Sequence, residues 1–157
     1  AENMHTRLAA LLLPLGEMRA KTALHRLKCS NALTDTVTTL IREKSANVPA
    51  PVQTRRLLGK YGLHTVEQLN ALCAAFDPAR AEEFHAQAEL ARQLDAAGAC
   101  CRVNQLAVNG RDLMVAGIAP GPGLRRVLEA LLEQVLTEQL PNEKAALLAA
   151  AAQFSAS

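Results

Sequence analysis

Between Leu124 and Leu136, the apolar side chains Leu124, Val127, Leu128, Leu131, Leu132, Val135 and Leu136 recur at helical spacing. Only a helix gathers that pattern on one face, because a strand alternates with period two and would scatter it over both. A stripe of this length has to be buried against other helices, which commits this part of the chain to a helical core. Leu33, Val37, Leu40 and Ile41 repeat the pattern upstream. Leu and Ala supply most of the apolar half of the 157 residues, β-branched residues are comparatively few, and the aromatics are Tyr61, Phe76, Phe84 and Phe154, with no Trp. The expected fold is all-α: an irregular array of about eight or nine helices with short links, no significant sheet and no solenoid repeat.

Punctuation residues place the boundaries. In "NMHTRLAALLLPLG" periodicity is under way almost from the first residue and Ala1 is not an initiator Met, which reads as a helix cut from something longer. Pro14 and Gly16 interrupt it, Ser30 or Asn31 can cap a later helix, and "NVPAP" at 47–51 cannot be helical throughout. Thr65 is expected to open a helix with Gln68 completing a capping box, and Asp77 with Pro78 to start another that ends at Gly98. "ACCRVNQLAV" reads as a loop, Asn109 with Asp112 caps a short helix closed by Gly117, and Asn142 is expected to cap the last helix. Two helical regions follow, 1–61 and 62–157, packed together as one unit or two.

Charge divides along the chain. Residues 1–60 carry ten Lys or Arg against four acids, while the remainder has a surplus of four acids. Such a division suits a polyanion partner for the first part and equally a solvated helix face. Cys29, Cys73, Cys100 and Cys101 lack CxxC spacing, and His5, His25, His64 and His85 are scattered, so no metal site and no catalytic residue is expected. Without a signal peptide or an unbroken apolar run of membrane-spanning length, the expectation is a cytoplasmic chain with no membrane contact.

The start of the Leu124–Leu136 helix inverts the usual charge order. Acids normally favour a helix N-terminus, yet here Arg125 and Arg126 stand there and Glu129, Glu133 and Glu138 follow. Gly121 and Gly123 let a ligand approach the backbone, so with the two arginines they could form a phosphate seat. Pro122 at the first helical position with solvated arginines is the plainer account, and spacing alone favours it. Arg111 and Lys60, each beside a glycine, carry the same two readings. If the partner is nucleic acid, the shortage of aromatic stacking platforms points to duplex RNA rather than a single strand.

"LAVNGRDLMVAGIAPGPGLRRVLEALLEQVLTEQLPNEKAALLAAA", residues 106–151, resembles the C-terminal region of bacterial tRNA nucleotidyltransferases, the CCA-adding enzymes, and of their poly(A) polymerase relatives. An Asn-Gly-x-Asp-Leu helix, a Gly-Pro loop, a Leu-rich helix and an Asn before the last helix occur in the family's order. "ALHRLKCSNALTDTVTTLI", 23–41, is similar to an upstream helix pair of the same family. The resemblance implies a body and tail that hold the tRNA acceptor stem and T arm, with Arg125, Arg126, Gly121, Gly123, Arg111 and Lys60 as phosphate contacts. It also implies that nucleotide addition, with Mg2+ and CTP or ATP, belongs to a catalytic head absent from this stretch, since no acid-x-acid pair occurs here. This stretch alone is therefore expected to be inactive. The alternative is a helical protein-interaction module without RNA binding, in which the charge asymmetry drives docking or homo-oligomerisation.

Overall fold

The periodic segments become nine α-helices and three single-turn 3-10 segments, with no strand, in a computed structural model that describes residues 2–155. The helices are α1 (Glu2–Leu12), α2 (Gly16–Arg26), α3 (Asn31–Ala46), α4 (Pro51–Tyr61), α5 (Leu63–Phe76), α6 (Ala81–Ala96), α7 (Gly110–Val115), α8 (Pro122–Leu136) and α9 (Lys144–Ser155). Local chemistry explains most boundaries. Pro14 lies in the 3-10 turn between α1 and α2, and Ser30 caps α3 by accepting from the Leu33 N–H at 3.2 Å. Pro51 starts α4 as its first residue, where its missing N–H costs nothing.

The chain divides between Ala97 and Gly98 into two units. This differs from the boundary expected at 61/62. The reason is packing: α5 carries buried Val66, Leu69, Leu72 and Cys73 into one core with Leu24, Val37, Leu40 and Leu57 from α2, α3 and α4, so the helices on either side of Gly62 share an interior. The charge division changes with it. Up to Ala97 there are twelve basic and ten acidic residues, and from Gly98 there are five of each.

The buried threonines of the first unit satisfy themselves locally. Thr34, Thr38 and Thr54 are buried, and each donates its hydroxyl to the carbonyl four residues back at 2.8–3.0 Å. Gln68 does not complete a capping box. α5 begins two residues earlier than expected, at Leu63 behind Gly62, and this register turns the Gln68 side chain inward, where its amide nitrogen meets the His5 ring at 3.3 Å. Asp77 makes no side-chain cap either, because Pro78 opens a 3-10 turn before α6 begins.

The second unit has its own core of Leu106, Val108, Leu113, Ile118, Leu131, Leu147 and Ala151. The α8 stripe faces it as expected: Leu131 is fully buried, and Leu124, Val127, Leu128, Leu132 and Val135 pack against it half-buried. Among the described residues, no helix is long and apolar enough to cross a membrane.

Candidate nucleic-acid interface

The start of α8 is positioned by α7 and the loops around it. Asn109 and Asp112 form a reciprocal cap: the Asp112 N–H donates to Asn109 Oδ1 and the Asn109 N–H to Asp112 Oδ2, both at 3.0 Å. Asp112 Oδ1 also accepts from Lys144 Nζ at 2.8 Å, tying α7 to α9. Gly110 packs closely against α8: a Cβ there would lie 3.1 Å from Leu124 Cδ2, so the leucine would have to shift to admit a side chain. Gly121 precedes α8 with φ +131°, a conformation L side chains rarely adopt.

Asn142 does not cap α9. Its amide Nδ2 donates to the Gln105 carbonyl at 3.0 Å and its Oδ1 accepts from the Ala107 N–H at 2.8 Å, so it braces the loop ahead of α7. The loop's backbone has no sheet or helix partner of its own there, and the asparagine supplies both a donor and an acceptor.

The Asp112 carboxyl is held below its usual range, first by the Lys144 ammonium and then by the Asn109 N–H. Its contribution to stability is therefore complete above the unfolded value of about 3.9 and is lost as pH falls through the depressed folded value. We expect the urea midpoint of the second unit to fall as the wild-type chain is acidified through that window. Asp112→Asn should lower the midpoint at neutral pH and flatten the acid dependence; circular dichroism titrations of both chains check this, and parallel pH profiles would contradict it.

Arg125 Nε is 2.8 Å from Glu129 Oε1 one turn on, an exposed pair of small net worth. Arg126 and Arg111 are exposed, and neither forms an ion pair among the described residues. Gly121 and Gly123 are exposed beside them. The backbone seat is narrower than the sequence suggests: Pro122 has no N–H and that of Leu124 turns back to the Gly121 carbonyl at 3.1 Å. That leaves the Gly123 N–H and the arginine side chains to meet an anion. Lys60 belongs to the first unit, on α4, where its ammonium lies 4.0 Å from Glu43 Oε1 and 5.1 Å from the Tyr61 ring centre.

Aromatic rings are few: of the four, Phe76 and Phe154 are exposed and Phe84 is buried. Lys44 covers Phe76 at 5.2 Å, Lys60 covers Tyr61, and Arg80 covers buried Phe84 at 5.5 Å. Sequence reasoning passed over a second basic cluster, Arg19, Lys21, Arg26 and Lys28 on and just after α2. The signal was present as four bases within ten residues, but pairing decides whether such a run is free, and pairing is a tertiary property. Among the described residues, no three His, Cys, Asp or Glu gather as metal ligands.

The model of tRNA nucleotidyltransferase domain 2 matches residues 2–151. A CCA-adding enzyme of Levilactobacillus brevis is 62% identical over 45 residues, and a CC-adding tRNA nucleotidyltransferase of Shouchella clausii is 50% identical over 46. A CCA-adding enzyme of Limosilactobacillus fermentum is 45% identical over 50 residues. These matches cover 29–32% of this chain and 11–12% of the relatives' own length. No solved structure matches the chain.

Proposed function

We propose, because this chain belongs to the tRNA nucleotidyltransferase family, that it holds tRNA by the acceptor stem and T arm through phosphate and shape contacts. The observation that carries this reading is the start of α8, where exposed Arg125 and Arg126 follow exposed Gly121 and Gly123, and where the neighbouring α7, carrying exposed Arg111 next to Gly110, is braced by Asn109, Asp112 and Lys144. Guanidinium groups on a rigid frame suit backbone phosphates, which fix position without reading sequence. The scarcity of aromatic side chains, one Tyr and three Phe with no Trp, favours a duplex over a stacked single strand. Lys60 adds a contact in the first unit. Nucleotide addition with Mg2+ and CTP or ATP is assigned to carboxylates outside the residues described, in a cytoplasmic enzyme, and no chemical step is assigned to this stretch. Family membership does not favour the interaction module without RNA.

Fluorescence anisotropy of a labelled acceptor-T-arm minihelix, titrated at several salt concentrations, tests the reading. The minihelix should bind more tightly than a single strand of equal length. Arg125→Ala with Arg126→Ala should weaken it and lower the log–log salt slope by roughly 1.5 to 2, one phosphate for each arginine. Glu129→Gln, which removes the anion competing for Arg125, should tighten binding slightly. Failure of the wild-type chain to bind either RNA at low salt would overturn the proposal.

A further inference from the structure

α2 carries cations that the rest of the first unit leaves unanswered. Arg42 is engaged by Glu17, Arg80 by Glu83, and Arg92 by Glu67 and Glu89, at 2.6–3.0 Å. Arg19, Lys21, Arg26 and Lys28 are exposed and form no ion pair among the described residues. The only acid on α2, Glu17, is turned towards Arg42 of α3 and does not offset them.

Two of these cations share a site. Arg19 and Arg26, with Thr22, Ala23 and Leu27, line an open depression of about 490 Å³. Seven residues apart on a helix, the two arginines lie within about 20° of one another around the axis and about 10.5 Å apart along it. The Thr22 hydroxyl donates to the Met18 carbonyl at 3.1 Å, so the guanidinium groups are the depression's anion donors. Met18 and Leu27 are 75% and 71% exposed, and their nine-residue separation places them on opposite sides of the arginine row. An amphipathic peptide helix needs one continuous apolar strip, which this face lacks. A row of cations flanked by isolated apolar side chains instead suits a phosphodiester backbone, with charge for the phosphates and apolar contact for the sugars.

We propose that the outer face of α2 is a second RNA-backbone site, in the first unit, where Arg19 and Arg26 each take one phosphate of a duplex. Lys28, just past the end of α2, adds to the positive potential at that end of the row. This rests on the reading that the chain holds RNA, and the experiment separates the two claims.

The full 157-residue chain is titrated against the duplex minihelix as wild type, Arg19→Ala with Arg26→Ala, Arg19→Lys with Arg26→Lys, and Arg125→Ala with Arg126→Ala. A labelled polyglutamate peptide is titrated in parallel, and far-UV circular dichroism checks that each variant keeps its helices. The alanine pair on α2 should weaken RNA binding about tenfold and lower the salt slope by roughly 1.5 to 2, while the lysine pair keeps the wild-type slope. Wild-type RNA affinity in the α2 alanine pair, with binding weakened in the α8 pair, would overturn the α2 site and leave the functional reading standing. No RNA binding by the wild-type chain would overturn both. Loss of polyglutamate binding with RNA binding intact would assign the face to an acidic protein and overturn the RNA site.

Discussion

Leu131→Ala is expected to destabilise the second unit by about 2–5 kcal/mol. Leu131 is fully buried at the meeting of α7, α8 and α9, in a core that also holds Leu113, Ile118 and Leu147. Alanine is the better helix former, so any loss of stability comes from the cavity and not from the helix itself. The unit from Gly98 has about sixty residues, and a domain of that size holds only about 3–9 kcal/mol in total. One substitution therefore removes much of what keeps it folded. Amide hydrogen exchange within residues 98–155 should accelerate, and the urea midpoint of that segment should drop, while Leu131→Met costs less than about 1.5 kcal/mol. Equal stability of the Ala and Met variants would show that the α8 stripe is not the unit's core. The same loss should abolish the RNA contacts proposed for Arg125 and Arg126, because α7 would no longer be held against the start of α8.

Breaking the buried amide pair of the first unit should have the next largest effect. Asn47 Nδ2 donates to Gln87 Oε1 at 3.0 Å, and Gln87 Nε2 donates back to Asn47 Oδ1 at 3.2 Å and to the Val48 carbonyl at 3.4 Å. Both residues are buried, and the pair fastens the connector between α3 and α4 to α6. Gln87→Leu keeps the volume but strands the Asn47 amide, at a cost of about 1–3 kcal/mol. Removing both amides, with Asn47→Leu and Gln87→Leu together, should cost less than the sum of the single changes. A double-mutant cycle by urea denaturation measures this coupling, and additive losses would mean the pair contributes no mutual interaction.

Much of the helical framework was legible because the interactions that make it are short. The stripe from Leu124 to Leu136, the Ser30 cap, Pro122 at the first helical position, and the Asn109–Asp112 cap all act within a few residues along the chain. Of the candidate phosphate contacts, Gly121, Gly123, Arg125 and Arg126 lie at the entry to α8, Arg111 on α7 and Lys60 on α4. The bracing of α7 was not legible. Nothing local distinguishes Asn142 as a cap from Asn142 as the brace of a loop 35 residues earlier in the chain, and nothing local tells that Lys144 reaches Asp112.

By itself, then, the sequence determined the all-helical class, several helix starts, which faces are apolar, and the family to which the chain belongs. Only the tertiary structure decided that α5 joins the first core and moves the unit boundary to Gly98, that Gln68 turns inward to His5, and that Glu17 leaves α2 to meet Arg42 while Arg19 and Arg26 stay open. The physical reason is range. Periodicity and capping depend on neighbours within about one helical turn, whereas burial and ion pairing depend on which helices come together, and that is chosen by the packing of the whole unit.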